Sequence, residues 1–286
     1  MGYYDNQDNN NQPYGQQYNQ QYGQQYNQQY GQQYNQQYGQ QYGQQYGQQY
    51  NQTYSQPYGQ QYGQSYTQPY SNYREISPSA YNLVIGGTLL YGFLINCFMV
   101  HFCFDSIASL FIGSPIIFYV AYFAMVIIGS MMVNKSDNPV VSFIGYNLIV
   151  VPLGLIIALV VNAYAMVGYA STVTAAFGIT AVVTMIMMFI SSVYPRFFLS
   201  IGRTLGVTLL ITIVVELVMM LMGFDLGIID YVVVLIFCGY IGYDWAKANA
   251  VPKTVDNAID SAAELYVDIV NLFLRILRIL ARAQRN

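Results

Sequence analysis

Apolar residues fill the chain in long blocks after residue 80 and are almost missing before residue 75. Six blocks are long enough to cross roughly 30 Å of hydrocarbon as helices. They cover 81–104, 115–133, 139–161, 167–193, 199–222 and 227–243. The short connections carry turn residues, as in Gly113-Ser114-Pro115 and Ser136-Asp137-Asn138-Pro139, and leave no room for an inserted soluble domain. A seventh block, 260–283, is apolar on one side only. The pattern predicts an all-α integral membrane protein with six to seven transmembrane helices. Gly86, Gly87, Gly129, Gly154 and Gly178 lie within the spans, where small residues let helices approach closely.

In the seventh block, Glu264, Asp268, Asn271, Arg275, Arg278 and Arg282 recur at intervals of four and three, which puts all six on one helical face. Leu265, Tyr266, Ile269, Leu272, Phe273, Ile276 and Leu280 form the other face. A lipid-exposed helix does not carry Asp268 there, so the polar face is expected to meet protein or water. The segment is read as a helix inside the bundle, the alternative being an amphipathic helix lying at the interface.

Residues 1–78 form a separate region, and the membrane domain is 79–286. From Tyr14 to Tyr70 a tyrosine stands at every fourth position, in units such as Tyr-Gly-Gln-Gln and Tyr-Asn-Gln-Gln. Gly or Asn in most units opposes a helix, and without aliphatic side chains the segment cannot offset its ordering entropy. A disordered, low-complexity tail is expected. It serves either as a solvated tether or as a sticker array for self-association.

Charged residues make up 8% of the chain, against roughly 25% in soluble domains, so the lipid bilayer is the expected partner. The net charge is −3, which gives no footprint for nucleic acid. Arg74, Lys135, Arg196, Arg203, Lys247 and Lys253 flank alternate connections, while those around Asp105, Asn162 and Asp225 carry no basic residue. By the positive-inside rule the N-terminus is cytoplasmic, and the expected setting is the cell membrane of a bacterium. No secretory signal precedes the tail, so the first span is expected to act as an uncleaved anchor. Arg275, Arg278, Arg282 and Arg285 conflict with the rule if the seventh segment crosses, and re-entry without crossing stays open.

Asp244, at the end of span six in Gly242-Tyr243-Asp244-Trp245, is the candidate partner of Asp268. Intramembrane ionisable groups are costly and mark ion or proton paths. Two carboxylates meeting in low dielectric share a proton and titrate as a coupled pair, a pH-sensitive latch. The plainer role for Asp244 is an interfacial cap near Lys247. Glu216, inside span five, is a third buried carboxylate with no partner evident in the pattern. Asp225 and Asp230 fall in the base-free outer loop, as a cation-attracting mouth or a solvated turn. Cys97, Cys103 and Cys238 read as small hydrophobes, and His101 as an interfacial histidine. One histidine and three dispersed cysteines exclude most metalloenzyme sites, and no cofactor is expected.

Gly239-Tyr240-Ile241-Gly242-Tyr243-Asp244 and Leu265-Tyr266-Val267-Asp268-Ile269-Val270-Asn271-Leu272-Phe273 resemble the paired C-terminal motifs of the Bax inhibitor family. The second motif is long and specific. A looser likeness covers 172–189, and the whole resemblance runs over about 80–286. It implies a bundle with the C-terminal helix central, and a calcium leak gated by an aspartate pair falling on Asp244 and Asp268. Some members carry a carboxylate in the second helix, where this chain has only Tyr122 nearest in pattern, so Glu216 is the candidate substitute. The family's basic cluster after that helix is reduced to Lys135, the remaining candidate for a basic latch.

The resulting expectation is a pH-sensitive leak with calcium as permeant ion and protons as regulator. Two or three carboxylates with carbonyls and water make a weak transit site, which suits conduction. A regulatory or scaffold protein that acts through partners is the alternative. An aspartyl protease is not supported, since Leu265-Tyr266-Val267-Asp268 stands in place of Gly-x-Gly-Asp and no Pro-Ala-Leu follows. The protein is not expected to be an enzyme.

Overall fold

A computed structural model describes residues 75–224 and 227–285. The expectations for the tail, and for Arg74 and Asp225, lie outside these residues. Proline opens four of the helices, at Pro78, Pro115, Pro139 and Pro195, where its fixed φ suits the first turn and its missing N–H costs nothing. Ser77 and Asn138 add side-chain caps, accepting from Ala80 N at 3.2 Å and Val140 N at 2.9 Å. Gly168 and Gly223, at φ of 90° and 75°, take the left-handed conformation that closes helix ends.

The described residues form eight helices and no strand. These are α1 (Pro78–Phe102), α2 (Phe104–Gly113), α3 (Pro115–Lys135), α4 (Pro139–Met166), α5 (Ala170–Val193), α6 (Pro195–Leu221), α7 (Gly227–Ala250) and α8 (Val255–Arg285). Six of them, α1 and α3 to α7, are long and apolar enough to cross a membrane. The expected spans are present with ends shifted by a few residues, and two expected connections are helical instead. Asp105 lies in the first turn of α2. Asn162 lies within α4, donating from Nδ2 to the carbonyls of Val100 and Ala158, each at 3.0 Å.

The seventh segment is neither interfacial nor re-entrant. α8 is one continuous helix of 31 residues, about 46 Å long at 1.5 Å per residue. It packs against α1, α4, α5 and α7, and Leu265, Tyr266, Leu272 and Leu277 on it are fully buried. Its first half meets the second half of α7, and its last half meets the start of α7. α8 therefore runs antiparallel to α7 through the centre of the bundle. Around it, α3, α5 and α6 turn residues such as Val120, Phe123, Met185, Phe189, Leu210 and Leu217 outward, as lipid-facing surfaces do. α3 and α4 meet backbone to backbone at Gly129 and Gly145. A Cβ on Gly129 would stand 2.6 Å from the Gly145 carbonyl oxygen, so only glycine permits this approach. Gly154 also lies in close contact, whereas Gly86, Gly87 and Gly178 have nothing within 4 Å of a Cβ.

Candidate functional site

Two tyrosines fix the central helix. The Tyr266 hydroxyl donates to Asn96 Oδ1 on α1 at 3.0 Å, and Tyr81 Oη lies 3.1 Å from Ser261 Oγ. α7 is fixed from the other side. Ser191 Oγ donates to the Gly242 carbonyl, Trp245 Nε1 donates to Ser192 Oγ at 2.8 Å, and the Phe198 ring fills the space a side chain at Gly242 would need. Lys253, in the α7–α8 connection, donates to the carbonyls of Ala248 and Asn249 at 2.9 Å each and stands over the Tyr81 ring. Burial holds its ammonium below the ordinary lysine pKa.

Between these fixed points, Asp244 of α7 and Asp268 of α8 come together, 7% and 6% exposed. Their carboxyl groups hydrogen-bond to each other. Asp268 Oδ2 has no hydrogen-bond partner among the described residues. Glu264, one turn before Asp268, accepts from Lys247 Nζ at 2.6 Å. Lys247 thus pairs with Glu264 while standing near both aspartates.

The far end of α8 holds a second charged group. Arg275 grips Glu216 of α6 with both guanidinium arms, one bond measuring 2.9 Å. It also donates to Asp230 Oδ1 at 2.9 Å. Arg278 and Arg282 reach Asp230 at 3.1 and 2.9 Å. Asp230 is fully buried in α7, so it belongs to neither an outer mouth nor a solvated turn. Glu216 gains the partner that the sequence pattern did not supply, and the arginines at the far end of α8 are received by carboxylates within the bundle. Among the described residues, three guanidiniums of α8 gather on these two carboxylates. Lys135 is exposed at the end of α3.

The sequence pattern missed the start of α8 and with it Asp256, and it left Asp260 out of the polar stripe. α8 begins at Val255, five residues before the expected 260, and Thr254 Oγ1 accepts from Asn257 N at 3.1 Å as its cap. Asp256 and Asp260 then continue the row of Glu264 and Asp268 at steps of four. Extending the polar stripe two steps upstream from Glu264 was the signal that could have found them.

A buried carboxyl pair between α7 and a charge-bearing central helix, within a bundle of six long apolar helices, defines a polytopic helical membrane protein with a polar core. The model of the family described as "Inhibitor of apoptosis-promoting Bax1" matches residues 74–286, and the chain belongs to that family. It is also similar to Protein LIFEGUARD 3 of Arabidopsis thaliana, 48% identical over 52 residues, which cover 18% of this chain and 20% of that protein.

Proposed function

We propose that this integral membrane protein is a pH-sensitive cation leak, with calcium as permeant ion and the Asp244–Asp268 pair as its gate. The observation that carries this reading is the direct contact of two buried carboxyl groups across the α7–α8 interface. Such a pair binds one proton between its members, because ionising both in low dielectric is costly. With the proton held, the two helices are joined. With it lost, two negative charges repel and present oxygen ligands to a hard cation. The test is calcium entry into dye-loaded liposomes containing the purified protein, across a pH series. Flux that rises with pH supports the gate. No flux from well-folded protein would favour a scaffold acting through partners.

In the same reading the N-terminus, Lys135, Arg196 and Lys253 face the cytoplasm and the α8 arginines the opposite side. On a cysteine-free background, Lys135→Cys should react with an impermeant maleimide only from the cytoplasmic side, and Arg285→Cys only from outside. Reaction of Lys135→Cys from outside would reverse the orientation.

A further inference from the structure

α6 carries a charge on its outer face that the described residues do not answer. Arg203 stands more than two turns into the helix, which begins at Pro195, and is exposed. Among the described residues nothing bonds to it or pairs with it. By contrast, Arg275, Arg278 and Arg282 are held by Glu216 and Asp230, and Lys247 by Glu264. The opposite face fixes the rotation of α6. Phe198 and Leu205 fill the places where side chains on Gly242 and Gly239 would stand, and the Tyr243 ring lies 2.3 Å from where a Cβ on Gly202 would be. Arg203 is therefore turned away from α7, in one exposed row with Arg196, Ser200, Val207 and Leu210, at alternating steps of four and three.

α6 has 27 residues and is about 40 Å long, against roughly 30 Å of hydrocarbon. Upright and centred, it keeps about 5 Å at each end among the headgroups, which sets the Arg203 backbone about 7 Å below the hydrocarbon boundary. A charged side chain at that depth is costly unless it reaches a partner. Helical side chains lean toward the N-terminus, and long basic ones extend to the interface. The guanidinium is thus carried back over Ser200 toward Arg196. Residues 195–215 contain these two arginines and no acid, so the counter-charge on this face comes from the lipid.

We propose that Arg203 and Arg196, on the outer face of α6, bind the headgroup of an anionic phospholipid. A guanidinium offers paired N–H donors to phosphate oxygens. Val207 and Leu210 continue the same row away from the headgroup, 54% and 64% exposed, and give an acyl chain an apolar track. A zwitterionic headgroup brings its own cation up to the two arginines, whereas a net-negative one does not, so charge complementarity selects the anionic lipid. A soluble phosphate does not enter hydrocarbon to the depth of Arg203, which commits the site to lipid. The inference uses neither the aspartate pair nor conduction.

The experiment is native mass spectrometry of the full-length protein in detergent, titrated with phosphatidylglycerol or phosphatidylcholine. Wild type should retain phosphatidylglycerol more tightly. Arg203→Gln and Arg196→Gln should each weaken its binding by roughly fivefold, the contribution of one basic residue at a headgroup. Arg203→Lys keeps the charge and the reach without the planar fork, and should lose less. Lys135→Gln, at an exposed base ending α3, should change nothing. Glycerol phosphate, the headgroup without its chains, should not compete at equal concentration. Equal retention of the two lipids by wild type overturns the proposal, and so does wild-type affinity in Arg203→Gln. An equal loss in Lys135→Gln also overturns it, as diffuse attraction, and so does displacement by glycerol phosphate, as a water-facing anion site. Thermal melting identifies a failure of Arg203→Gln to fold, and Arg196→Gln then carries the test.

Discussion

Replacing Asp268 by Asn is expected to flatten the pH dependence of calcium flux while leaving the bundle folded. In the proposed gate, one shared proton governs the contact between α7 and α8, and its occupancy changes by up to about tenfold per pH unit around the midpoint. Flux should therefore be low in acid and rise through the midpoint as the proton leaves. Asn keeps the shape and supplies a permanent N–H donor to Asp244, so the contact no longer needs a proton. Asp244 then titrates without its like-charged neighbour, with Lys247 and Glu264 nearby. Asp244→Asn should act alike, and the double variant should add little, because one coupled unit has been broken. Full pH dependence in both single variants would remove the pair from the gate.

Asp230→Asn should be the most destabilising single change in the protein. It replaces the carboxylate that receives Arg275, Arg278 and Arg282 by a neutral amide, and among the described residues Glu216 is then the acid that remains in the cluster. Removing one partner of a buried ion pair costs about 3–5 kcal/mol, because the remaining charge is stranded. Melting in detergent should show a large fall in midpoint. Combining Asp230→Asn with Arg278→Gln should recover part of it, since the second change removes one of the charges that Asp230 received. A melting midpoint unchanged from wild type would mean that the cluster is open to water.

The six spans were legible because uninterrupted apolar blocks of that length have few other fates. α2 was not, since ten residues from Phe104 to Gly113 are too short to cross and read as a loop. α8 was legible from Glu264 onward through its three- and four-residue stripe. Its first turn was hidden because Val255-Asp256-Asn257 resembles a polar connection. The Asp244–Asp268 contact could be anticipated from the stripe and the family motif together. Glu216 could not be paired, because Arg275 lies 59 residues away and no local period links them. Glycines behaved similarly: Gly129 and Gly154 lie at tight contacts while Gly86, Gly87 and Gly178 do not, a distinction set by which helix face meets a neighbour.

The central position of α8 also constrains how the protein is made. α8 follows all of its neighbours in the order of synthesis, yet it occupies the axis they surround. With four acidic and four basic side chains along its length, it partitions poorly into lipid from the insertion machinery by itself. The earlier spans must therefore wait as an incomplete ring whose interior already presents Asp244, Lys247, Glu216 and Asp230. Docking of α8 against those groups is the step that fills the ring, and a nascent chain arrested before Val255 would expose it to membrane quality control.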